Sequence, residues 1–227
     1  MRYNHIITGK FISRPNRFIA HVEIEGESCV VHVKNTGRCK ELLVPGARVY
    51  LSVSDNPARK TKFDLIAVEK VTDRGTFLVN MDSQIVNDVA EEYLHNMFPS
   101  ATVKREVFYG SSRFDFYIES EKRRIFCEAK GVTLENDGVL SFPDAPTERG
   151  VKHLKELSSA VSCDYEAMVL FVIQMENAVY FTPNDQTHKE FGDALRQAER
   201  QGVLIKAFSC QISPDTIIPY KEVEVRL

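Results

Sequence analysis

Two strand-like runs around a short polar turn, in residues 113–130, constrain the fold of this chain most strongly. Apolar residues alternate with polar ones on both sides of the turn, which predicts a β-hairpin because successive strand side chains point to opposite faces. A register symmetric about the turn pairs Asp115 with Glu128, and Lys130 shares their face. Phe114 is expected on the opposite, apolar face. The hairpin therefore brings two carboxylates and one ammonium together.

These three charges indicate a metal site. Charged groups on an otherwise apolar hairpin are costly unless they are paired or bind an ion. A hard divalent cation between Asp115 and Glu128, with Lys130 beside it, is the arrangement that metal-assisted phosphodiester hydrolysis needs. Without metal, one of the two opposed carboxylates should hold a proton more readily than a free side chain. The alternative is a solvated strand face with one cross-strand ion pair, since this triplet also recurs by chance.

Composition places the chain among soluble globular proteins. Its 227 residues suffice for one large or two small domains, and 43% of them are hydrophobic. The longest apolar run, Ala167–Ile173, is too short to cross a bilayer, and the first residues lack the apolar core of a signal peptide. Five cysteines without CxxC spacing suggest reduced thiols. We therefore expect a cytoplasmic protein with no membrane segment; the oligomeric state stays open.

Charge divides the chain into two parts. Residues 1–80 carry 13 Lys and Arg against 8 Asp and Glu, whereas residues 81–227 carry 16 against 24. Such a split suggests two domains, 1–80 and 81–227, in which a basic unit holds a polyanion and an acidic unit concentrates cations. The alternative is a modest imbalance without function.

The first part is rich in short strands. Candidates lie at 18–25, 28–34, 47–53, 63–71 and 76–79, with a short helix expected within 35–46. This pattern predicts a small barrel of the oligonucleotide/oligosaccharide-binding (OB) type. Exposed cations in this part are candidates for phosphate contacts, namely Arg38, Lys60 and Lys62. Core packing explains most of the interleaved aromatic residues.

The second part alternates helices with strands. An amphipathic helix at 82–98 is followed by the hairpin, a long loop at 131–150, a helix capped by Asp144, and further strands around a last helix. This order predicts a mixed sheet flanked by helices. Arg149, Lys152 and His153 lie near the start of the second helix. Because a helix N-terminus favours anions, we expect them to face the hairpin and contact phosphate.

The chain resembles the sugar fermentation stimulation protein A family. The resemblance rests on stretches that span most of the chain, NRFIAHVE (16–23), HVKNTGRCKELLVPGARV (32–49), SRFDF (112–116), CEAKGVTL (127–134) and FPDAPTERGVKHLKEL (142–157). Lys34 and Cys39 replace a proline and a methionine of the family pattern, and Ala129 and Gly131 replace a valine and a serine. These departures leave the three charges intact.

The resemblance implies an OB-like N-terminal domain and a C-terminal domain like the PD-(D/E)XK nucleases. It further implies that Asp115 and Glu128 hold Mg²⁺ or Mn²⁺, that Lys130 assists catalysis, and that a helix glutamate, Glu92 or Glu91, assists the metal. Family members are described as DNA-binding and linked to sugar catabolism, so DNA is the expected partner. The sequence leaves three functions open, a Mg²⁺-dependent nuclease, a catalytically silent DNA-binding regulator and an oligosaccharide-binding barrel.

Overall fold

The computed structural model describes residues 1–73 and 75–227, which form fifteen strands and three helices in two sheets. Six strands make up the first sheet: β1 Ile6–Asn16, β2 Ile19–Ile24, β3 Glu27–Val33, β4 Arg48–Val53, β5 Phe63–Thr72 and β6 Gly75–Asn80. Their order is β3-β2-β1-β4-β5-β6, and a parallel pairing of β3 with β5 closes the first five strands into a barrel. The OB-like barrel expected from the sequence is thereby confirmed.

Two details of the barrel differ from expectation. Strand β1 was not anticipated, because Gly9 and two register shifts in its pairing with β2 obscure the alternation of its side chains. The short helix expected within 35–46 is absent, and the segment runs through bends and turns instead. Long-range contacts satisfy much of its backbone; the Arg14 guanidinium, for example, donates to the carbonyl oxygens of Asn35 and Gly37.

The second sheet contains nine strands in the order β10-β11-β13-β15-β14-β12-β9-β8-β7. Their bounds are β7 Thr102–Tyr109, β8 Ser112–Glu119, β9 Arg124–Val132, β10 Leu134–Asn136, β11 Val139–Phe142, β12 Glu166–Ile173, β13 Tyr180–Pro183, β14 Leu204–Ile212 and β15 Ile217–Val225. Strand β12 lies in the interior of the sheet, parallel to β9 and β14, and is apolar on both faces, as expected for a buried parallel strand.

Three helices cover the two faces of this sheet, which confirms the predicted mixed sheet flanked by helices. They are α1 Val86–Met97, α2 Glu148–Val161 and α3 Asp185–Arg200. Met168 and Leu170 of β12 pack with α1, whereas Val169 and Phe171 belong to the cluster that contains α2 and α3. No helix in the described part of the chain is both long and apolar enough to traverse a bilayer.

The central hairpin has the predicted register but not the predicted faces. Strand β8 pairs with β9 from Glu119 opposite Arg124 to Phe116 opposite Cys127, in the register that predicts Asp115 near Glu128. Phe114, however, packs on the α2 side, with its ring 5.7 Å from that of Phe126. The expected alternation fails because Glu106, opposite this point on β7, has a φ of 57° and interrupts the regular ladder.

The predicted long loop at 131–150 contains a small hairpin. Strands β10 and β11 pair through a two-residue turn at Asp137-Gly138, both with positive φ. Helix α2 begins later than expected, because Thr147, not Asp144, is its cap and accepts a hydrogen bond from the Gly150 amide at 3.1 Å. Asp144 is instead free to contact the barrel.

Buried contacts join the barrel to the second sheet. The Asn80 amide donates to the Gln174 carbonyl at 2.9 Å, and the Lys70 ammonium pairs with the buried Glu135 carboxylate. One apolar cluster contains residues of both sheets. The division of the chain into domains near residue 80 therefore stays a prediction about independent folding.

Candidate metal and phosphate site

A cleft of about 680 Å³ opens where the barrel, the start of α1, the β8–β9 hairpin and the start of α2 meet. Asp115, Glu128 and Lys130 all line it. Strand alternation puts Glu128 and Lys130 on one face of β9, and the Asp115 carboxylate reaches the backbone amide of Ala129, which lies between them in sequence. The structure thus brings the three predicted side chains together.

Asp115 is held by two hydrogen bonds. Its Oδ1 accepts from the Asn87 side-chain amide and its Oδ2 from the Ala129 backbone amide, each at 2.9 Å. Burial and the neighbouring Glu128 carboxylate raise the pKa of Asp115, and the Lys130 charge opposes them only in part. Asp115 is therefore the member of the pair that binds a proton more readily.

Glu128 is buried, with 4% of its surface exposed. Its Oε1 contacts the Lys130 ammonium and lies 2.5 Å from His153 Nδ1. Burial raises the pKa of Glu128, but the hydrogen bond from His153 and the charge of Lys130 outweigh it, so the net shift is downward. The carboxylate is thus kept ionised.

The second oxygen of Glu128 has a different environment. Glu128 Oε2 is buried and has no hydrogen-bond partner among residues 1–73 and 75–227. An unpaired buried carboxylate oxygen is costly, and it is the donor type that a hard divalent cation prefers. With the Asp115 carboxylate on the same wall of the cleft, the donor set fits Mg²⁺ or Mn²⁺.

Of the three residues of helix α2 that were predicted to contact phosphate, only Arg149 lines the cleft. Its Nε donates to His153 Nε2 at 3.3 Å. His153 is 4% exposed and lies behind Glu128, so its expected phosphate contact is corrected to a contact with that carboxylate. Lys152 points away from the cleft, with its ammonium 3.4 Å from the Ser111 carbonyl oxygen. Residues 149 and 153 share a helix face, whereas 152 is turned to one side.

The expected glutamate on α1 does not reach the site. Glu92, the assigned metal ligand, lies 3.5 Å from the N-terminal amino group, and Glu91 accepts a hydrogen bond from Arg105. Both lie a turn or more beyond the start of the helix, which is the end that faces the cleft. Asn87 occupies that place instead. No pattern in the sequence indicated that Asn87 belongs to the site.

The predicted basic residues of the barrel are exposed but do not line the cleft. Arg38 is adjacent to the lining residue Gly37, whereas Lys60 and Lys62 lie in the segment before β5. Arg59 of the same segment pairs with the buried Asp64 at 2.5 Å, so it has a structural role. Among the barrel cations that the structure describes, Arg17 lines the cleft, and the sequence analysis did not single it out.

Comparison with known families divides the chain into two matched regions. Residues 12–79 match the model of the SfsA N-terminal OB domain. Residues 81–216 match the model of the sugar fermentation stimulation protein RE domain.

Relatives of the chain match over nearly its whole length. The sugar fermentation stimulation protein homolog of Clostridium beijerinckii is 56% identical over 220 residues, which is 96% of each chain. The homolog of Desulfitobacterium hafniense is 55% identical and covers 100% of this chain and 99% of its own. A solved structure, described as Pyrococcus furiosus SfsA in complex with Ca²⁺, is 28% identical, with a TM-score of 0.87 and coverage of 100% of this chain and 98% of that one.

Proposed function

The chain belongs to the sugar fermentation stimulation protein family, and on that premise we propose that it is a DNA-binding protein with a Mg²⁺-dependent phosphodiesterase site. The observation that carries the proposal is the convergence of Asp115, Glu128 and Lys130 in one cleft, with Glu128 Oε2 buried and unpaired in the described chain. A role in sugar catabolism, suggested by the family, would then act through nucleic acid.

The carboxylates would hold the cation. Asp115 and Glu128 supply the oxygens, while Asn87 and the Ala129 amide orient Asp115 and His153 orients Glu128. A divalent cation bound there would activate water and neutralise charge on the scissile phosphate. These orienting contacts restrict the two carboxylates before any ligand arrives.

Two cations of the chain complete the site. Lys130 lies beside Glu128, where its ammonium would stabilise negative charge that develops on the phosphate in the transition state. Arg149 is exposed and lines the same cleft, close to the N-terminus of α2. Its guanidinium would bind a phosphate oxygen and position the strand.

The solved relative supports a cation site. The Pyrococcus furiosus protein is described in complex with Ca²⁺, and it has the same fold over the full length of this chain. Calcium and magnesium both take oxygen ligands, although magnesium demands a stricter geometry. A cation site in this chain is therefore consistent with the chemistry of its relative.

Cleavage of labelled DNA, RNA and branched substrates, with Mg²⁺, Mn²⁺ or a chelator, tests the proposal. The wild type should cut at least one substrate with metal and none with chelator. The Asp115→Asn/Glu128→Gln double variant, purified identically, should be inactive, which also excludes a contaminating nuclease. Cleavage that persists in the double variant, or its absence from the wild type on every substrate, would contradict a catalytic site.

A catalytically silent DNA-binding regulator is the second candidate. The observation in its favour is that Glu128 Oε1 is already engaged by Lys130 and His153, which leaves one oxygen for a cation. In this case the wild type binds DNA without cutting it, and the double variant binds DNA equally well.

A further inference from the structure

The barrel side of the cleft is closed by a bridging segment, residues 34–39. At one end, the Ser83 amide, just before α1, donates to the Lys34 carbonyl oxygen at 3.1 Å. At the other end, the Cys39 amide donates to Asp144 Oδ2 at 2.9 Å, before α2. The segment therefore spans from the α1 side of the cleft to the α2 side.

The bridging segment is held rigidly. The Arg14 guanidinium donates to four backbone carbonyl oxygens at 2.6–2.9 Å, those of Asn35, Gly37, Arg38 and Arg17. A guanidinium with this many carbonyl partners fixes the backbone because every bond is charge-assisted. The same guanidinium ties the β1–β2 turn to the segment through the Arg17 carbonyl oxygen.

Closure on this side limits what the cleft can admit. Its volume of about 680 Å³ lies in the range of pockets that bind small molecules, roughly 300–1,000 Å³. Asp115 and Glu128 lie on its wall, and Glu128 is almost fully buried. A phosphate must therefore enter the cleft to reach both carboxylates. An unpaired strand can bend into such a space, whereas a duplex is stiff and brings its second strand with it.

An exposed aromatic residue lies at the rim. Arg17 and Phe18 form the two-residue turn between β1 and β2; Arg17 lines the cleft, and Phe18 is 56% exposed. A large apolar ring in solvent, next to a cation that lines the cleft, matches the way single-strand-binding barrels combine base stacking with backbone contacts. A paired base keeps its faces stacked within the duplex, so only an unpaired base can use the ring.

We propose that the ligand of this cleft is an unpaired nucleic-acid strand, which passes Arg17, stacks a base on Phe18 and places its next phosphates in the cleft. The inference rests on the proposed function for the chemistry at Asp115 and Glu128. It makes its own claim about binding, which does not depend on cleavage.

Fluorescence anisotropy with the full chain tests the inference. The probes are a fluorescein-labelled unstructured single-stranded oligonucleotide and a blunt duplex of the same sequence, each with Ca²⁺ and with chelator. We expect the single strand to bind more tightly. Phe18→Ala should weaken single-strand binding about 5- to 150-fold, the range for loss of one stacked base, and leave duplex binding unchanged. Phe108→Ala, a matched control at an exposed ring on the edge strand β7 of the second sheet, should change neither.

The outcomes separate this inference from the phosphodiesterase proposal. If the duplex binds as tightly as the single strand, or if Phe18→Ala behaves like Phe108→Ala, the single-strand inference is wrong even where cleavage occurs. If Phe18→Ala weakens single-strand binding but the wild type cuts no substrate, the inference holds and the phosphodiesterase proposal fails. Unchanged melting temperatures of both variants verify that neither result reflects unfolding.

Discussion

His153 Nδ1 lies 2.5 Å from Glu128 Oε1, and each of the two residues is only 4% exposed. Arg149 Nε donates to the other ring nitrogen, so Nε2 is the acceptor of the ring and Nδ1 is left to donate to Glu128. The imidazole therefore links the exposed guanidinium to the buried carboxylate. This link makes His153 a positioning residue for Glu128.

Replacing His153 should separate packing from hydrogen bonding. His153→Leu removes the donor to a buried carboxylate and should lower the free energy of unfolding by about 1–3 kcal/mol. His153→Asn retains an amide donor close to the place of Nδ1, so it should restore part of that loss and most of the affinity for Mn²⁺. Urea denaturation and calorimetric titration measure the two effects. Equal losses in both variants would show that the ring acts by packing alone.

Metal binding should depend on both carboxylates. Asp115→Asn and Glu128→Gln each remove a charged oxygen ligand while preserving shape, so titration calorimetry should show strongly weakened binding of Mg²⁺ or Mn²⁺. In the wild type, affinity should rise with pH through the raised pKa of Asp115, because the proton and the cation compete for that carboxylate. A wild type that binds neither cation, even with DNA present, would leave the hairpin charges as a structural ion-pair cluster.

Replacing Lys130 should lower the rate of phosphodiester cleavage more than it lowers the affinity for metal. Loss of one preorganised group that stabilises transition-state charge typically lowers a rate about 10²–10³-fold. We expect Lys130→Ala to slow cleavage by this order and to keep Mn²⁺ binding, as measured by single-turnover kinetics and calorimetry. Lys122→Ala, at an exposed lysine in the β8–β9 turn, is the matched control. A Lys130 variant that cuts as fast as this control would rule out the assigned role.

The basic surface of the barrel should set the salt dependence of DNA binding. Each phosphate contact contributes about 0.9 to the slope of log K against log salt on duplex DNA. Charge reversal of Arg38, Lys60 and Lys62 should therefore weaken binding and flatten the slope. A control variant reverses exposed cations of the second sheet and its helices, Lys122, Lys155 and Arg200. Equal affinities and slopes in the two variants would place the binding surface elsewhere.

The free energy of unfolding should fall at low pH, in part because the Asp64 carboxylate becomes protonated. Burial raises the pKa of this carboxyl, but Arg59, His32 and Lys34 outweigh it and lower the pKa to about 2. Since an unfolded aspartate has a pKa of about 3.9, the ionised group contributes about 2 kcal/mol above pH 4, and this is lost as the pH falls from 4 towards 2. Asp64→Asn should abolish that part of the acid dependence in denaturation curves. Asp55→Asn, at an exposed carboxyl, should preserve it.

The placement of Glu128 and Lys130 on one face of β9 could be predicted because it depends on local periodicity. Strand alternation and a turn of fixed length determine the register, and that register is observed from Phe116 opposite Cys127 onward. The position of Phe114 could not be predicted in this way. It depends on the positive φ of Glu106 in the neighbouring strand, which no alternation pattern in β8 reveals.

Other residues of the site were missed for two different reasons. Asn87 meets Asp115 only through the packing of α1 on the sheet, a contact between positions 28 residues apart that leaves no local signal. The β10–β11 hairpin did carry a signal, because Asp137-Gly138 between strand residues is typical of a two-residue turn with positive φ at both positions. Asp144 resembled a helix cap, and its actual partner, the Cys39 amide, lies 105 residues away.

The ion pair between Lys70 of the barrel and Glu135 of the second sheet limits how this protein can be recombined with its relatives. Lys70 also donates to the Glu135 carbonyl oxygen, and the second carboxylate oxygen accepts from the Gly138 amide. A chimera with a foreign barrel that lacks a cation at this position would leave a buried carboxylate uncompensated, at a cost of about 3–5 kcal/mol. An exchange of the barrel therefore requires a cation at this position or a matching change at Glu135.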